Sequence, residues 1–402
     1  MTERYDVIIA GGGMVGATLA CALGQGGLRV AVLEQQAPRP FHRGDDYDLR
    51  VSAISRASQR IFEHLGVWPL LSARRISPYL HMCVWDAGGS GEIRFDSLDV
   101  GESCLGHIIE NRVIQDALHQ RLKDFQSVDV LLHAALEDFE VGADEVQVTL
   151  GDGRTLTARL LVGADGARSR VRERARIEWR VQPYDQLGVV ATVTTEKPHQ
   201  ATAWQRFLPT GPLAFLPLAD GRCSIVWSAD TARAEDLMQL SDEDFIHQLG
   251  QAFGYKLGRI TAVSPRAAFP LRGAQAAHYV KERVALIGDA AHTIHPLAGQ
   301  GANLGFLDAA ALAETLLGCG RDIGSLRVLR GFERSRRGEN ILMMRAMEGF
   351  KRLFGNRIPP LMRLRNWGLG MVDAAPPLKK EFIRQAMGLG GDLPQLARGN
   401  RE

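Results

Sequence analysis

The amino-acid sequence predicts an α/β protein: a Rossmann-like nucleotide-binding domain, an interleaved substrate domain built on an antiparallel sheet, and a helical C-terminal tail. Three observations carry this. The first forty residues read strand, glycine-rich turn, helix, strand. Two later apolar strands each deliver a glycine-flanked aspartate, Asp165 and Asp289. Residues 182–269 between them are dominated by short strand patterns. A chain of 402 residues exceeds a single compact core, so two domains are expected. Its 45% hydrophobic and 23% charged content is ordinary for a globular protein.

The opening element is Asp6–Ala10, a short β-branched run of the kind buried on both faces of a parallel sheet. Gly11-Gly12-Gly13-Met14-Val15-Gly16 follows, then helical character from Ala17 to Leu23, then a second strand, Leu28–Leu33, closed by Glu34 and Gln35. This is the β–α–β setting that the G-x-G-x-x-G pattern requires. Gly11 permits the turn, Gly13 lets the backbone approach a pyrophosphate, and Gly16 lets the helix pack on the strand. The helix N-terminus offers free N–H groups to the phosphates. Glu34 can accept from a ribose diol and would repel a phosphate there, which favours the adenosine moiety of FAD or NAD over NADP. The motif does not separate FAD from NAD.

The second nucleotide segment is Leu160–Ser169, containing Asp165-Gly166. The third is Val284–His292, containing Gly288-Asp289, continued by His295-Pro296-Leu297-Ala298-Gly299-Gln300-Gly301-Ala302-Asn303. Taken singly, Asp165 reads as a turn residue and Asp289 as a helix N-cap. Taken with Gly11–Gly16, they read as parts of one ligand site.

On these three motifs, in this order, the chain resembles the flavoprotein monooxygenases of the p-hydroxybenzoate hydroxylase fold. The resemblance implies FAD as cofactor and O2 as co-substrate. NAD(P)H or another electron donor would bind transiently, since no second G-x-G-x-x-G exists. It assigns Asp289 to the FAD ribityl chain and the backbone of Gly299, Gly301, Ala302 and Asn303 to the flavin ring. Asp165 and Gly166 go to the pyrophosphate and to nicotinamide use, Arg50 to the flavin and pyrophosphate, and Arg112 to the adenosine side. Pro296 falls beside the reactive face of the flavin. His292 and His295, which titrate near neutrality, are the catalytic candidates. Trp85, Phe215, Leu216, Pro217 and Trp227 are candidate walls of a substrate pocket.

Further stretches are similar to the ubiquinone-biosynthesis hydroxylases: Leu49–Ser55, Leu65–Trp68, Leu105–Asn111, Phe215–Leu218 and Gly288–Gly305. Within that group the likeness leans to the 2-polyprenylphenol 6-hydroxylases, through Arg29–Gln35, Cys223–Ser228 and Ile383–Leu389. That implies hydroxylation of a polyprenylphenol at ring carbon C5, ortho to the phenol. Action at C1 or C6, and FAD-dependent reduction of a prenyl lipid, remain the alternatives.

The expected division assigns residues 1–72, 100–180 and 270–345 to the FAD domain, 73–99 and 181–269 to the substrate domain, and 346–402 to the helical C-terminal region. From Arg330 to Arg384 there are 13 Lys and Arg against 5 Asp and Glu, interleaved with Phe350, Leu353, Phe354, Leu361, Met362, Trp367 and Leu369. Such a segment can lie on an anionic membrane or bind partner proteins, here other ubiquinone-biosynthesis proteins.

The whole chain has a net charge of only +2, and no nucleic-acid partner is expected. Cys21, Cys83, Cys104, Cys223 and Cys319 form no C-x-x-C pair, so neither a disulfide framework nor a metal site is expected. A cytoplasmic location follows, peripheral at the inner membrane face if the basic segment docks there. No apolar run approaches the ~18–20 residues of a membrane span.

Overall fold

The computed structural model describes residues 3–294, 301–355 and 375–399, with Gly368 and Met371. The nucleotide-binding part is built on an eight-stranded sheet. Its main path runs Val280–Lys281, Val284–Leu286, Thr155–Gly163, Glu3–Ala10, Val30–Glu34, Val128–Leu132. The last five of these pair in parallel. The strands Leu136–Val141 and Val146–Leu150 form an antiparallel extension on Thr155–Gly163.

The first strand lies at the centre because its second half is apolar: Val7, Ile8 and Ile9 are fully buried. Its chain neighbour Val30–Glu34 is on one side and the much later Thr155–Gly163 on the other. The order of strands therefore reverses at the C-terminal end of Glu3–Ala10, where doubly wound sheets bind their ligands. The loop Gly11–Gly13 and the helix Met14–Gln25 leave the sheet at that point.

A nine-stranded sheet forms the second layer. Its main path runs His292–Thr293, Ala267–Ala276, Trp179–Thr195, Cys223–Asp230, Gly211–Pro217, Thr202–Leu208, His81–Asp86, Glu92–Asp96. One face is covered by the helices Thr231–Gln239 and Asp242–Phe253, whose Leu237, Phe245, Leu249 and Phe253 are buried against it. Strand patterns alone do not reveal these helices. Their local signal is Ser241, which caps the second helix by accepting from Asp244 N, with Asp242, Glu243 and Asp244 in the first turn.

A three-stranded sheet, Val51–Ser55, Gly106–Glu110 and Ile76–Tyr79, completes the strands. Beyond it come the helices Gly301–Leu317, Leu326–Gly355 and Pro376–Ala386. Of the described helices, none is long and apolar enough to cross a membrane.

Candidate active site

The glycine loop is shaped by contacts that leave no room for side chains. Gly11 has φ +102°, and a Cβ there would lie 2.4 Å from the carbonyl oxygen of Ala164. A Cβ on Gly16 would lie 1.9 Å from the carbonyl oxygen of Gly11. Gly13 differs: a Cβ there would meet nothing within 4 Å, so this side of the loop is open. Gly13 is the N-cap of Met14–Gln25 and offers no side chain to the helix end, which leaves the N–H groups of the first turn free for an anion.

Glu34 closes the next strand and holds the loop, accepting from Gly12 N at 2.8 Å with Oε2 and from Gln36 N at 3.0 Å with Oε1. Each oxygen keeps lone-pair capacity for a ribose hydroxyl. Gln35 beside it is exposed. On the far side of the loop, His119 Nε2 lies 2.6 Å from the carbonyl oxygen of Gly12.

The two aspartate motifs meet this loop. Asp165 Oδ2 accepts from Arg170 N and Val171 N at 2.7 and 3.2 Å and so starts the helix Arg170–Arg174, while its Oδ1 is buried without a partner. Gly166, at φ +76°, turns the chain away. Arg172 ties the two motifs together. It donates to the carbonyls of Ala167 and Ala290 at 2.8 and 2.9 Å, and its guanidinium lies 3.8 Å from the Trp179 ring centre.

Gly288 has φ +57°, and a Cβ on it would approach Val15 to 3.2 Å; one on Gly305 would approach Val15 to 2.6 Å. The glycine loop, the Gly288 turn and the helix Gly301–Leu317 thus pack at contact distance around Val15, with Met14 half-buried beside it.

Asp289 has an exposed side chain, yet desolvation by its surroundings lifts its carboxyl above the ordinary range. His292 and Arg50 pull in the opposite direction. The Arg50 guanidinium also lies 5.6 Å from the Phe269 ring centre.

Arg112 is buried, pairs with Asp45 at 2.8 Å, and leaves its Nε unpartnered. It precedes Gln115 and His119 on the helix Asn111–Leu122, whose side chains reach the Gly12 carbonyl. The orphaned Arg112 Nε and Asp165 Oδ1, the open side at Gly13 and the free helix end together suit an adenine dinucleotide. The polar atoms left over are those that phosphate and hydroxyl groups would satisfy.

Of the two histidine candidates, the described one, His292, is held in a buried network. His292 is 2% exposed, and its Nε2 lies 2.5 Å from Oδ2 of the fully buried Asp308. Asp308 Oδ2 also accepts from Gly288 N at 3.1 Å, and Oδ1 accepts from Arg336 Nε at 3.0 Å and Asn340 Nδ2 at 3.1 Å. Burial alone would raise the Asp308 carboxyl; His292, Arg336 and Asn340 outweigh it and hold it at about 2. His292 and Asp308 thus tie the Gly-Asp turn to the helices Gly301–Leu317 and Leu326–Gly355. A buried aspartate seven residues into a helix carries no motif that sequence reading uses, which is why Asp308 was not anticipated.

His295, Pro296 and Gly299 lie outside the described residues, as do Leu361, Met362, Trp367 and Leu369. Gly301 and Ala302 begin the helix Gly301–Leu317. Asn303 pins it, accepting from Ser55 N at 3.0 Å and Ser58 Oγ at 2.8 Å, and donating to the Ala53 carbonyl at 2.8 Å. Its side chain thus fixes the helix start against the strand Val51–Ser55.

That strand is a shared wall, because Val51 and Ala53 also line a cavity. The cavity has a volume of about 150 Å³. It lies between the small sheet (Tyr79, Ile108), the uncovered face of the large sheet (Gln205, Pro212, Ala214, Leu216, Val226, Ser228) and the C-terminal helix (Phe382, Ile383, Ala386, with Met387 following). The helix is held there by Ala57 N donating to the Met387 carbonyl at 3.2 Å.

Of the expected wall residues, only Leu216 lines this space. Phe215 and Trp227 point through the sheet into the helix-covered core, with Trp85 packed at its edge. Phe215 stacks on Phe253 at 3.8 Å between ring centres, and Trp85 meets the same ring at 5.3 Å. Pro217 is buried and is not part of the cavity wall. The reason is the pleat: successive strand residues face opposite sides, so Phe215, Leu216 and Pro217 cannot share one wall.

The chain matches the family described as FAD binding domain over residues 4–344. It is 40% identical over 400 residues to ubiquinone hydroxylase UbiL of Rhodospirillum rubrum, with 98% of this chain and 92% of the relative covered. It is 37% identical over 390 residues to 3-demethoxyubiquinol 3-hydroxylase of Escherichia coli, with 96% and 99% covered. Among solved structures, p-nitrophenol 4-monooxygenase PnpA from Pseudomonas putida shares the fold at TM-score 0.78 and 19% identity, with 100% of each chain covered.

Proposed function

Because this chain belongs to the FAD-binding monooxygenase family, we propose that it hydroxylates the ring of a polyprenylphenol on the route to ubiquinone, at C5, ortho to the phenol oxygen. The observation that carries this reading is the apolar cavity sharing the strand Val51–Ser55 with the nucleotide cradle. Bound FAD, reduced by NAD(P)H or another donor, supplies an electrophilic oxygen from O2.

The residues of the chain do the rest. Gly11–Gly16 and the helix behind them take the pyrophosphate, Glu34 the ribose, and Asp289 the ribityl hydroxyls, with Arg50 and Arg112 adding positive charge. The cavity excludes water from the reacting ring and holds it beside the flavin.

The prenyl tail leaves past Phe382. Around that exit Leu98, Leu378 and Phe382 are 79%, 49% and 41% exposed, and Lys379, Lys380 and Arg384 share the helix. This supports peripheral contact with the inner membrane face from a cytoplasmic location, where other ubiquinone-biosynthesis proteins also work. Replacing Lys380 and Arg384 together with alanine should weaken sedimentation with anionic vesicles several-fold; unchanged sedimentation would refute the contact.

A second reading places the hydroxyl at another ring carbon, favoured by the 37% identity to a relative named as a 3-hydroxylase. Lipid analysis of a strain lacking the gene separates them. Accumulation of a polyprenylphenol without the C5 oxygen is expected. An accumulated species already oxygenated at C5 would move the assignment, and normal ubiquinone with no redundant enzyme would defeat the pathway claim.

A further inference from the structure

Most of the cavity wall is hydrocarbon, which makes its few polar groups informative. The Trp204 indole N–H is already committed, donating to the His199 carbonyl at 3.2 Å. The side chains of Gln205, Ser228 and Tyr79 make no hydrogen bond within the described protein, yet all three line the cavity. Gln205 is the costliest to leave so, since it is only 7% exposed and carries both a carbonyl and an NH2 group.

Its surroundings are shaped as a slot. Gln205 pairs directly with Ala214, and Ala214 pairs with Val226, so these three side chains stand in one row across the sheet. Ala203 precedes it by two positions on the same face. With alanine along the strand and across it, the amide stands above its neighbours with space on two sides, enough for a flat ring to lie against the sheet.

Ser228 stands two strands over and one same-face step along, because Leu213 pairs with Trp227. From strand spacing that is roughly 12 Å away, too far to share a ring oxygen with Gln205. Tyr79 belongs to the small sheet on the opposite wall, where burial pushes its hydroxyl up and keeps it a proton donor.

We propose that Gln205 orients the substrate ring: its Oε1 accepts the phenol O–H. Accepting from the phenol also enriches the ring carbons ortho and para to it, the positions an electrophilic oxygen attacks. The inference rests on the aromatic-hydroxylase reading and adds the selection among rings that this cavity makes.

The test is equilibrium binding to FAD-loaded protein, read by the change in flavin absorbance, with two probes: the 2-prenylphenol and its methyl ether. Wild type should bind them in that order, with about tenfold between the free phenol and its methyl ether. Gln205→Leu and Gln205→Met, of similar volume, should flatten that order while keeping FAD and the affinity for the methyl ether. A wild-type protein that binds phenol and ether equally overturns the proposal without any variant. So does either variant retaining the wild-type order. A wild type that binds neither probe instead defeats the hydroxylase reading itself.

Discussion

The nucleotide cradle and the substrate cavity are built in opposite ways. The cradle is made of backbone. Gly11, Gly16, Gly288 and Gly305 lie where a Cβ would collide with another segment, and the groups facing the ligand are mostly main-chain N–H groups and single carboxylates. The cavity is made of side chains from six separate stretches of chain, around residues 51–53, 79–82, 95, 105–108, 203–228 and 382–387. The first construction tolerates almost no substitution, because shape is set by absent atoms. The second tolerates many, because apolar walls can be rebuilt from different residues of similar volume.

Four substitutions probe this contrast. Gly16→Val should have the largest effect. Its Cβ falls 1.9 Å from the Gly11 carbonyl oxygen, so the loop cannot keep its shape, and the purified protein should carry no FAD by absorbance. Asp289→Ala comes next. The fold should survive, judged by circular dichroism, while bound FAD is lost; a fully yellow variant would refute the ribityl role.

Asp308→Ala removes the common partner of His292, Arg336 and Asn340 and should cost about 3–5 kcal/mol, read by denaturant unfolding. Because Asp308 is held near 2, below its value in the unfolded chain, its contribution is complete above about pH 4 and is lost as pH falls toward 2. The variant should therefore show a shallower acid limb than wild type. Ala214→Phe should act least on the protein as a whole. It fills the cavity beside Gln205, so FAD content and melting temperature should stay near wild type while KM for the aromatic substrate rises roughly tenfold. Loss of FAD in that variant would mean the two regions are not separable.

The same contrast explains what could be read from the sequence. Gly11–Gly16, Asp165-Gly166 and Gly288-Asp289 were legible because glycine spacing and strand-end acids are local signals, and a backbone site needs them at fixed intervals. The β–α–β opening was legible for the same reason, although the helix starts at Met14 rather than Ala17.

The cavity was not legible. Nothing in Thr202–Leu208 says which face of the strand is covered by Phe245 and Phe253 and which is left for a ligand, and that choice decides whether Trp204 or Gln205 faces the core. Reading Phe215–Pro217 as one wall failed on the pleat alone. Phe382, Ile383 and Met387 follow helical spacing, but the surface they meet is some three hundred residues earlier in the chain. The buried contact of His292 was not legible either, because its partner Asp308 lies 16 residues on, in a helix with no motif of its own.

The central claim is that this chain uses flavin and dioxygen to put one oxygen on a prenylated phenol. The direct measurement is mass spectrometry of the product after FAD-loaded protein, a nicotinamide reductant and a short-chain prenylphenol react under isotopically labelled dioxygen. A catechol carrying a single labelled oxygen ortho to the phenol is expected. A product whose new oxygen comes from water, or a substrate with reduced prenyl double bonds and no oxygen gained, would contradict the account.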